Sequence, residues 1–167
     1  LIHGENDSAY FRDCSIDGQV DFIWGSGRAV FDRCEIQSLA SGYICQMRTP
    51  QGQVGAIFWD CRFTRAANVK NVFLARIDAN EYPHSHVALL DCQLDTHVTA
   101  AAWLNTAKNS EGARHLPFLE YRSKNLDGKW SDVSGREKFS RQLQAAEAKK
   151  LRDFSTIWGD WNPAESN

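Results

Sequence analysis

The chain has 167 residues, 43% hydrophobic and 24% charged, which suits one globular domain and excludes a disordered polyelectrolyte. Nineteen Lys and Arg against 21 Asp and Glu leave a formal charge of −2, far from the basic balance of a module that coats nucleic acid. No apolar run approaches the roughly 18 residues of a membrane span, no N-terminal segment reads as a signal peptide, and the first residue is Leu1, so upstream residues are expected to be missing from the chain.

In its first hundred residues the chain shows almost no helical periodicity. It repeats one pattern instead: apolar, two variable residues, Cys, one polar residue, apolar. The pattern appears as Phe11-Arg12-Asp13-Cys14-Ser15-Ile16, Phe31-Asp32-Arg33-Cys34-Glu35-Ile36, Phe58-Trp59-Asp60-Cys61-Arg62-Phe63 and Leu89-Leu90-Asp91-Cys92-Gln93-Leu94. From Cys14 to Cys34, Cys34 to Cys61 and Cys61 to Cys92 the steps are 20, 27 and 31 residues, solenoid rather than hairpin spacing. A parallel β-helix accounts for this, because each coil lays its short strand on the same strand of the coil before and equivalent side chains stack about 4.8 Å apart. Four of the five cysteines then form one inward ladder of small packing thiols, with Cys45 outside it. An odd count and the lack of C-x-x-C favour packing over a disulfide framework or metal site, although thiols on adjacent coils could oxidise in a secreted setting.

Between the repeats run largely apolar strands, Val20-Asp21-Phe22-Ile23-Trp24, Ile57-Phe58-Trp59 and Val72-Phe73-Leu74-Ala75-Arg76. Asp21 interrupts the first and Arg76 ends the third. An unpaired carboxylate there is costly, so Asp21 must face solvent or hold a cation, as part of a functional site or of a structural salt bridge. Gly25-Ser26-Gly27-Arg28 has the spacing of neither a nucleophile elbow nor a phosphate loop and reads as a turn. His84-x-His86 offers two imidazoles to a metal, but with no third ligand and with Pro83 beside it a loop is the better expectation. Lys108, Arg114 and Lys124 are scattered and read as a solvated face.

Ser134-Gly135-Arg136-Glu137 forms a capping box ahead of Phe139, Leu143, Ala146, Lys150 and Phe154, which predicts an amphipathic helix. With the Trp158 and Trp161 tail it is expected to cover the stack, since a solenoid end exposes apolar side chains and unpaired backbone. A helix that binds a partner is the alternative. Residues 1–133 are thus expected to form the coils, with the N-terminal coils of the domain missing, and 134–167 a helix and tail of the same domain.

The block Asp21-Phe22-Ile23-Trp24-Gly25, with Cys14 to Val20 before it and Ala29-Val30-Phe31-Asp32-Arg33-Cys34 after it, closely resembles the D-F-I-F-G block of pectin methylesterases. Val72-Phe73-Leu74-Ala75-Arg76-Ile77-Asp78 sits where that family carries L-G-R-P-W, and Val87 to Leu94, His97 and an Ala-rich turn ending in Trp103 follow in family order. The tail from Ser140 to Pro163 is similar to the end of bacterial members. The resemblance implies an all-β fold, a right-handed parallel β-helix, that hydrolyses methyl esters of polygalacturonate and releases methanol. It implies an Asp nucleophile, a second Asp that protonates the leaving methoxide and then activates water, an Arg that holds the nucleophile ionised, and Gln donors for the oxyanion.

Carried over by position, Asp21 matches the nucleophile, Arg76 the orienting arginine and Trp103 a cleft tryptophan that binds substrate. The second Asp belongs to a Q-D-T block that counting back places at or just before Leu1, with the oxyanion glutamines there or farther upstream. No cofactor and no metal are implied. The implied partner is pectin, or homogalacturonan, outside the cell or in the periplasm, met by a monomer. Two departures stand out: Ala75 replaces the family glycine before the arginine, and Ile77-Asp78 replaces Pro-Trp. The second removes a stacking surface, adds charge beside a cleft for a polyanion and sets Asp78 to compete for Arg76. A catalytically impaired protein that binds acidic polysaccharide, or an esterase for another acyl ester, therefore remain as alternatives.

Overall fold

Each repeat of the sequence becomes one turn of a coil. The computed structural model describes residues 4–108 and 111–163. The first coil holds β1 (Ser8–Arg12), β2 (Ser15–Gly18) and β3 (Ile23–Gly25), and the second β4 (Arg28–Asp32), β5 (Glu35–Ser38) and β6 (Gly42–Met47). The third holds β7 (Ala56–Trp59), β8 (Arg62–Arg65) and β9 (Val72–Ile77), and the fourth β10 (Val87–Leu90), β11 (Gln93–Leu94) and β12 (Trp103–Asn105). A fifth begins with β13 (Phe118–Tyr121) and β14 (Lys124–Asn125), and β15 (Arg141–Gln142) pairs beyond it. All these ladders are parallel, in three sheets: β1-β4-β7-β10-β13-β15, β2-β5-β8-β11-β14 and β3-β6-β9-β12. The chain is a right-handed parallel β-helix.

The corner between the first two sheets explains the repeat. Asp13, Arg33, Asp60 and Asp91, each directly before a ladder cysteine, are left-handed with φ between 51° and 57°. One such residue turns the chain sharply, and Asp is among the non-glycine residues that tolerate it best. The apolar residue before the corner and the cysteine after it then both point inward. Phe11 stacks on Phe31 at 4.9 Å and Phe31 on Phe58 at 4.7 Å between ring centres. Each thiol lies beneath the previous coil: Cys61 Sγ donates to the Phe31 carbonyl at 3.2 Å, and Cys34 and Cys92 make the matching contacts to Phe11 and Phe58.

The fifth coil keeps the corner, with Arg122 at φ 55°, but Ser123 stands in the cysteine position and Glu120 is in register with Leu89. Those polar substitutions hide this coil from the sequence repeat. All five cysteines are free thiols, only Cys14 is not fully buried, and hydrogen bonding with Cys61 together with burial pushes the Cys34 thiol up. In native buffer a thiol reagent should therefore modify no more than one cysteine, Cys14, and reach the other four only on unfolding. Rapid reaction of several thiols in the folded protein would contradict the packing ladder.

The C-terminal segment departs from its expectation. Ser134 does not start a helix; residues 134–140 are turns. Two short helices follow, α1 (Ala145–Lys150) and α2 (Phe154–Trp158). The Gln144 N–H donates to the Glu147 carboxylate at 2.8 Å, so the capping acid is Glu147, not Glu137. The helices lie against the outer side of the first sheet, not over the end of the stack. Trp59 Nε1 donates to the Leu151 carbonyl at 2.9 Å, and Tyr10 meets Phe154 and Trp158 edge-on at 5.5 and 6.0 Å. The reason is the outer row Val30, Ile57 and Ala88, an apolar sheet face that needs cover along its length. The last coil is closed by Phe139 on Phe118, at 6.1 Å, and by an ion pair of Glu120 with Arg136.

His84 and His86 sit in a loop, as expected, and among the described residues no three His, Cys, Asp or Glu side chains gather as a metal site. His86 is buried, and burial lowers its pKa from 6.5 to about 4. The unfolded chain therefore takes up a proton that the folded one refuses, so stability should fall as pH drops from about 6.5 toward 4. Denaturant midpoints measured across this range should show a slope that His86→Leu flattens. An unchanged slope would assign the acid sensitivity elsewhere.

Candidate active site

The third sheet carries the outward-facing site. Asp21 is not inside a strand but in the bend just before β3, left-handed at φ 48°, with its N–H donating to the Tyr43 carbonyl of the next coil at 2.8 Å. That corner turns its side chain toward the outer face. Arg76 reaches it from β9, two coils on and 55 residues later. Its Nε donates to Oδ1 at 3.2 Å and Oδ2 at 3.0 Å, and its Nη2 to Oδ2 at 2.5 Å. The Asp21 side chain keeps 15% of its surface exposed. The hydrogen bonds to Asp21 raise the Arg76 pKa further against burial, so the cation is permanent. Beneath it the Tyr43 ring lies 4.6 Å from the guanidinium carbon and stacks in turn on Phe73 at 5.9 Å.

Strand register sorts the rest. Trp24 pairs with Gln46, and Arg76 with Leu104, while Cys45 opposite Ala75 sets Gln46 beside Arg76. This outer row is Trp24, Gln46, Arg76, Leu104. Trp24 Nε1 donates to Gln46 Oε1 at 2.8 Å, which fixes the indole and leaves the Gln46 amide nitrogen as a donor. The neighbouring row is Ile23, Cys45, Ala75 and Trp103, all buried.

Trp103 therefore corrects the sequence expectation. It is 0% exposed and stacked on Phe118 at 5.1 Å, because its register partner is Ala75, one step before Arg76, and successive strand residues face opposite ways. It is a core residue and offers no face to a ligand. Ile77 is likewise buried. Asp78 does not compete for Arg76: its Oδ1 accepts the Asn80 N–H at 2.9 Å and its carbonyl the Tyr82 N–H at 2.9 Å, so it closes a turn. Of the expected site residues, Asp21 and Arg76 meet and Trp103 does not join them. Tyr43, Gln46 and Arg48, whose guanidinium carbon lies 4.8 Å from the centre of the Trp24 ring, carry no motif. Only an alignment of outward positions coil by coil would have put Gln46 between Trp24 and Arg76.

A family model described as pectinesterase matches residues 2–158. "Pectinesterase 31" of Arabidopsis thaliana is 31% identical over 150 residues, 89% of this chain and 44% of that protein. "Pectinesterase QRT1" of the same plant is 28% identical over 163 residues, 95% of this chain and 40% of that protein. These relatives are plant proteins. Among solved structures, a pectin methylesterase from carrot superposes with TM-score 0.81 at 17% identity, over 99% of this chain and 55% of that one. One from Yersinia enterocolitica gives 0.67 at 26% identity, over 91% and 53%. The chain spans roughly two fifths of the length of these curated relatives.

Proposed function

The chain belongs to the pectinesterase family, and on that footing we propose that it carries the nucleophile of an enzyme that removes methyl esters from polygalacturonate. One observation bears the proposal: Asp21 and Arg76, 55 residues apart, are joined by three hydrogen bonds on the outer face of the third sheet. Oδ2 takes two of these and Oδ1 one, so Oδ1 is the freer oxygen and the one that attacks. Attack on the ester carbonyl gives a tetrahedral intermediate, whose collapse breaks the bond to methoxide and leaves a galacturonyl–Asp21 anhydride. The methoxide leaves as methanol with a proton from a second carboxylic acid, which the family pattern places at or just before Leu1. That carboxylate then takes a proton from water, and the hydroxide releases the galacturonate acid and restores Asp21. The substrate polymer lies outside cells, so an extracellular or periplasmic site of action is part of the proposal.

Ile77-Asp78 in place of Pro-Trp and the burial of Trp103 favour a second reading, a polysaccharide-binding protein with weak or no turnover. The full-length protein incubated with highly methylated pectin should release methanol. Binding of pectin without release would select the second reading, and release only from short acyl esters would redirect the chemistry.

A further inference from the structure

Trp130 is the most exposed large apolar side chain among the described residues, at 62%. It stands on a tight hairpin at the β14 end of the second sheet. The Asn125 N–H donates to the Lys129 carbonyl at 2.8 Å, Asn125 Oδ1 accepts the Lys129 N–H at 2.9 Å, and Gly128 supplies the left-handed turn at φ 80°, so the indole is carried on a stiff support. The Arg122 and Lys124 cations lie 5.4 and 5.1 Å from its ring centre. Neither lines the cavity of about 380 Å³ that opens on Trp130, so they back the ring away from it and leave an indole surface toward the cavity.

Asp95, Thr96 and Thr99 reach this cavity from the turn after β11, and Asp132 reaches it from beside Trp130. Asp95 accepts from Arg65 Nε at 3.0 Å and from the Thr96 N–H at 2.6 Å, and Asp132 Oδ1 accepts the Ser134 N–H at 2.9 Å, so both carboxylates are held in place. Arg136, the cation among the lining residues, is committed to Glu120. Two carboxylates without a free cation repel an anion such as a uronate. They suit a ligand that donates to them, and the hydroxyls of an uncharged sugar do so with charge-assisted bonds about twice as strong as neutral ones. The apolar C–H face of the same sugar matches the indole.

We propose that Trp130, Asp95 and Asp132 form a binding site for an uncharged sugar unit of a polysaccharide. The site uses none of Asp21, Arg76, Trp24 or Gln46 and does not depend on the proposed reaction. Asp21 occupies the corresponding corner of the first coil and Asp95 that of the fourth, roughly 14 Å along the axis at about 4.8 Å per coil. A neutral segment bound at Trp130 therefore holds the protein on a polymer while the Asp21 face stays open.

The test follows the indole N–H resonances of the full-length protein by NMR, with Trp130 assigned by its absence in Trp130→Phe. Cellotetraose, xylotetraose and β-1,4-galactotetraose are the probes, and trigalacturonate is the acidic control. At least one neutral probe should shift the Trp130 resonance, and its Kd should rise about tenfold or more in Trp130→Ala and about fivefold in Asp132→Ala, which removes an acceptor. Trigalacturonate should leave that resonance in place. No shift with any of the three neutral probes, or an equal or larger shift with trigalacturonate, overturns the proposal. So does an unchanged Kd in Trp130→Ala when circular dichroism shows the variant folded.

Discussion

Replacing Asp21 by Asn in the full-length protein should lower methanol release from methylated pectin by about 10⁴-fold or more, with the fold intact. The amide keeps the shape of the side chain and can still accept from Arg76, but it lacks the negative charge that the proposed attack on the ester requires. A loss of that size is about 5.5 kcal/mol of transition-state free energy. The hydrogen bonds of a partly exposed charged pair contribute about 1–3 kcal/mol to stability at most, so a purely structural salt bridge predicts a modest shift in unfolding midpoint and no such loss of turnover. Arg76→Lys keeps the charge but not the fork that reaches both oxygens of Asp21, so it should leave an intermediate activity, with the deficit in kcat. Coupled enzymatic detection of methanol, read beside a denaturation curve for each variant, decides between the two roles. More than a tenth of wild-type turnover in the Asn variant would remove Asp21 from the chemistry.

A large stability effect is expected at the other end of the stack. Glu120, with 1% of its side chain exposed, accepts from Arg136 Nε at 2.8 Å and Nη2 at 3.0 Å and from Gln142 at 3.2 Å. Arg136 also donates to the Ala100 carbonyl at 3.1 Å. Burial pushes the Glu120 carboxyl up, but the hydrogen bonds and charge of Arg136 outweigh it and hold the pKa below the ordinary 4.5. Arg136→Met leaves that carboxylate buried alone and should cost about 3–5 kcal/mol in urea unfolding, whereas Glu120→Leu combined with Arg136→Met should return close to wild type. Because the folded pKa is depressed, the contribution is full above about 4.5 and is lost as pH falls through the folded value. The double variant should lack that part of the acid destabilisation. A cost under about 1 kcal/mol for Arg136→Met would show that water reaches the pair.

The coils were legible because each of the first four repeats buries an apolar residue and a cysteine on either side of one left-handed corner residue, a pattern local in sequence. The fifth was not, because Glu120 and Ser123 are polar at those positions, and the burial of Glu120 depends on Arg136 and Gln142 arriving from 16 and 22 residues away. A C-terminal helical pattern was legible from its apolar spacing, but its cap is Gln144 rather than Ser134 and it forms two short helices rather than one, and a helical pattern says only that one side must be covered. Which surface it meets follows from the apolar outer row Val30, Ile57 and Ala88.

The sequence by itself determined the solenoid, the inward cysteines and the two charged residues set among apolar neighbours, because periodic burial and the cost of a buried charge act on any chain of this pattern. Tertiary structure supplied the geometry of the Asp21–Arg76 pair that the family resemblance implied, and it alone decided that Trp103 faces the core and that Arg48 is stacked between Trp24 and Tyr82. In a β-helix the neighbours of a residue lie one coil away, at sequence distances set by loops of unequal length. A shift of one residue in that register turns a side chain from cleft to core.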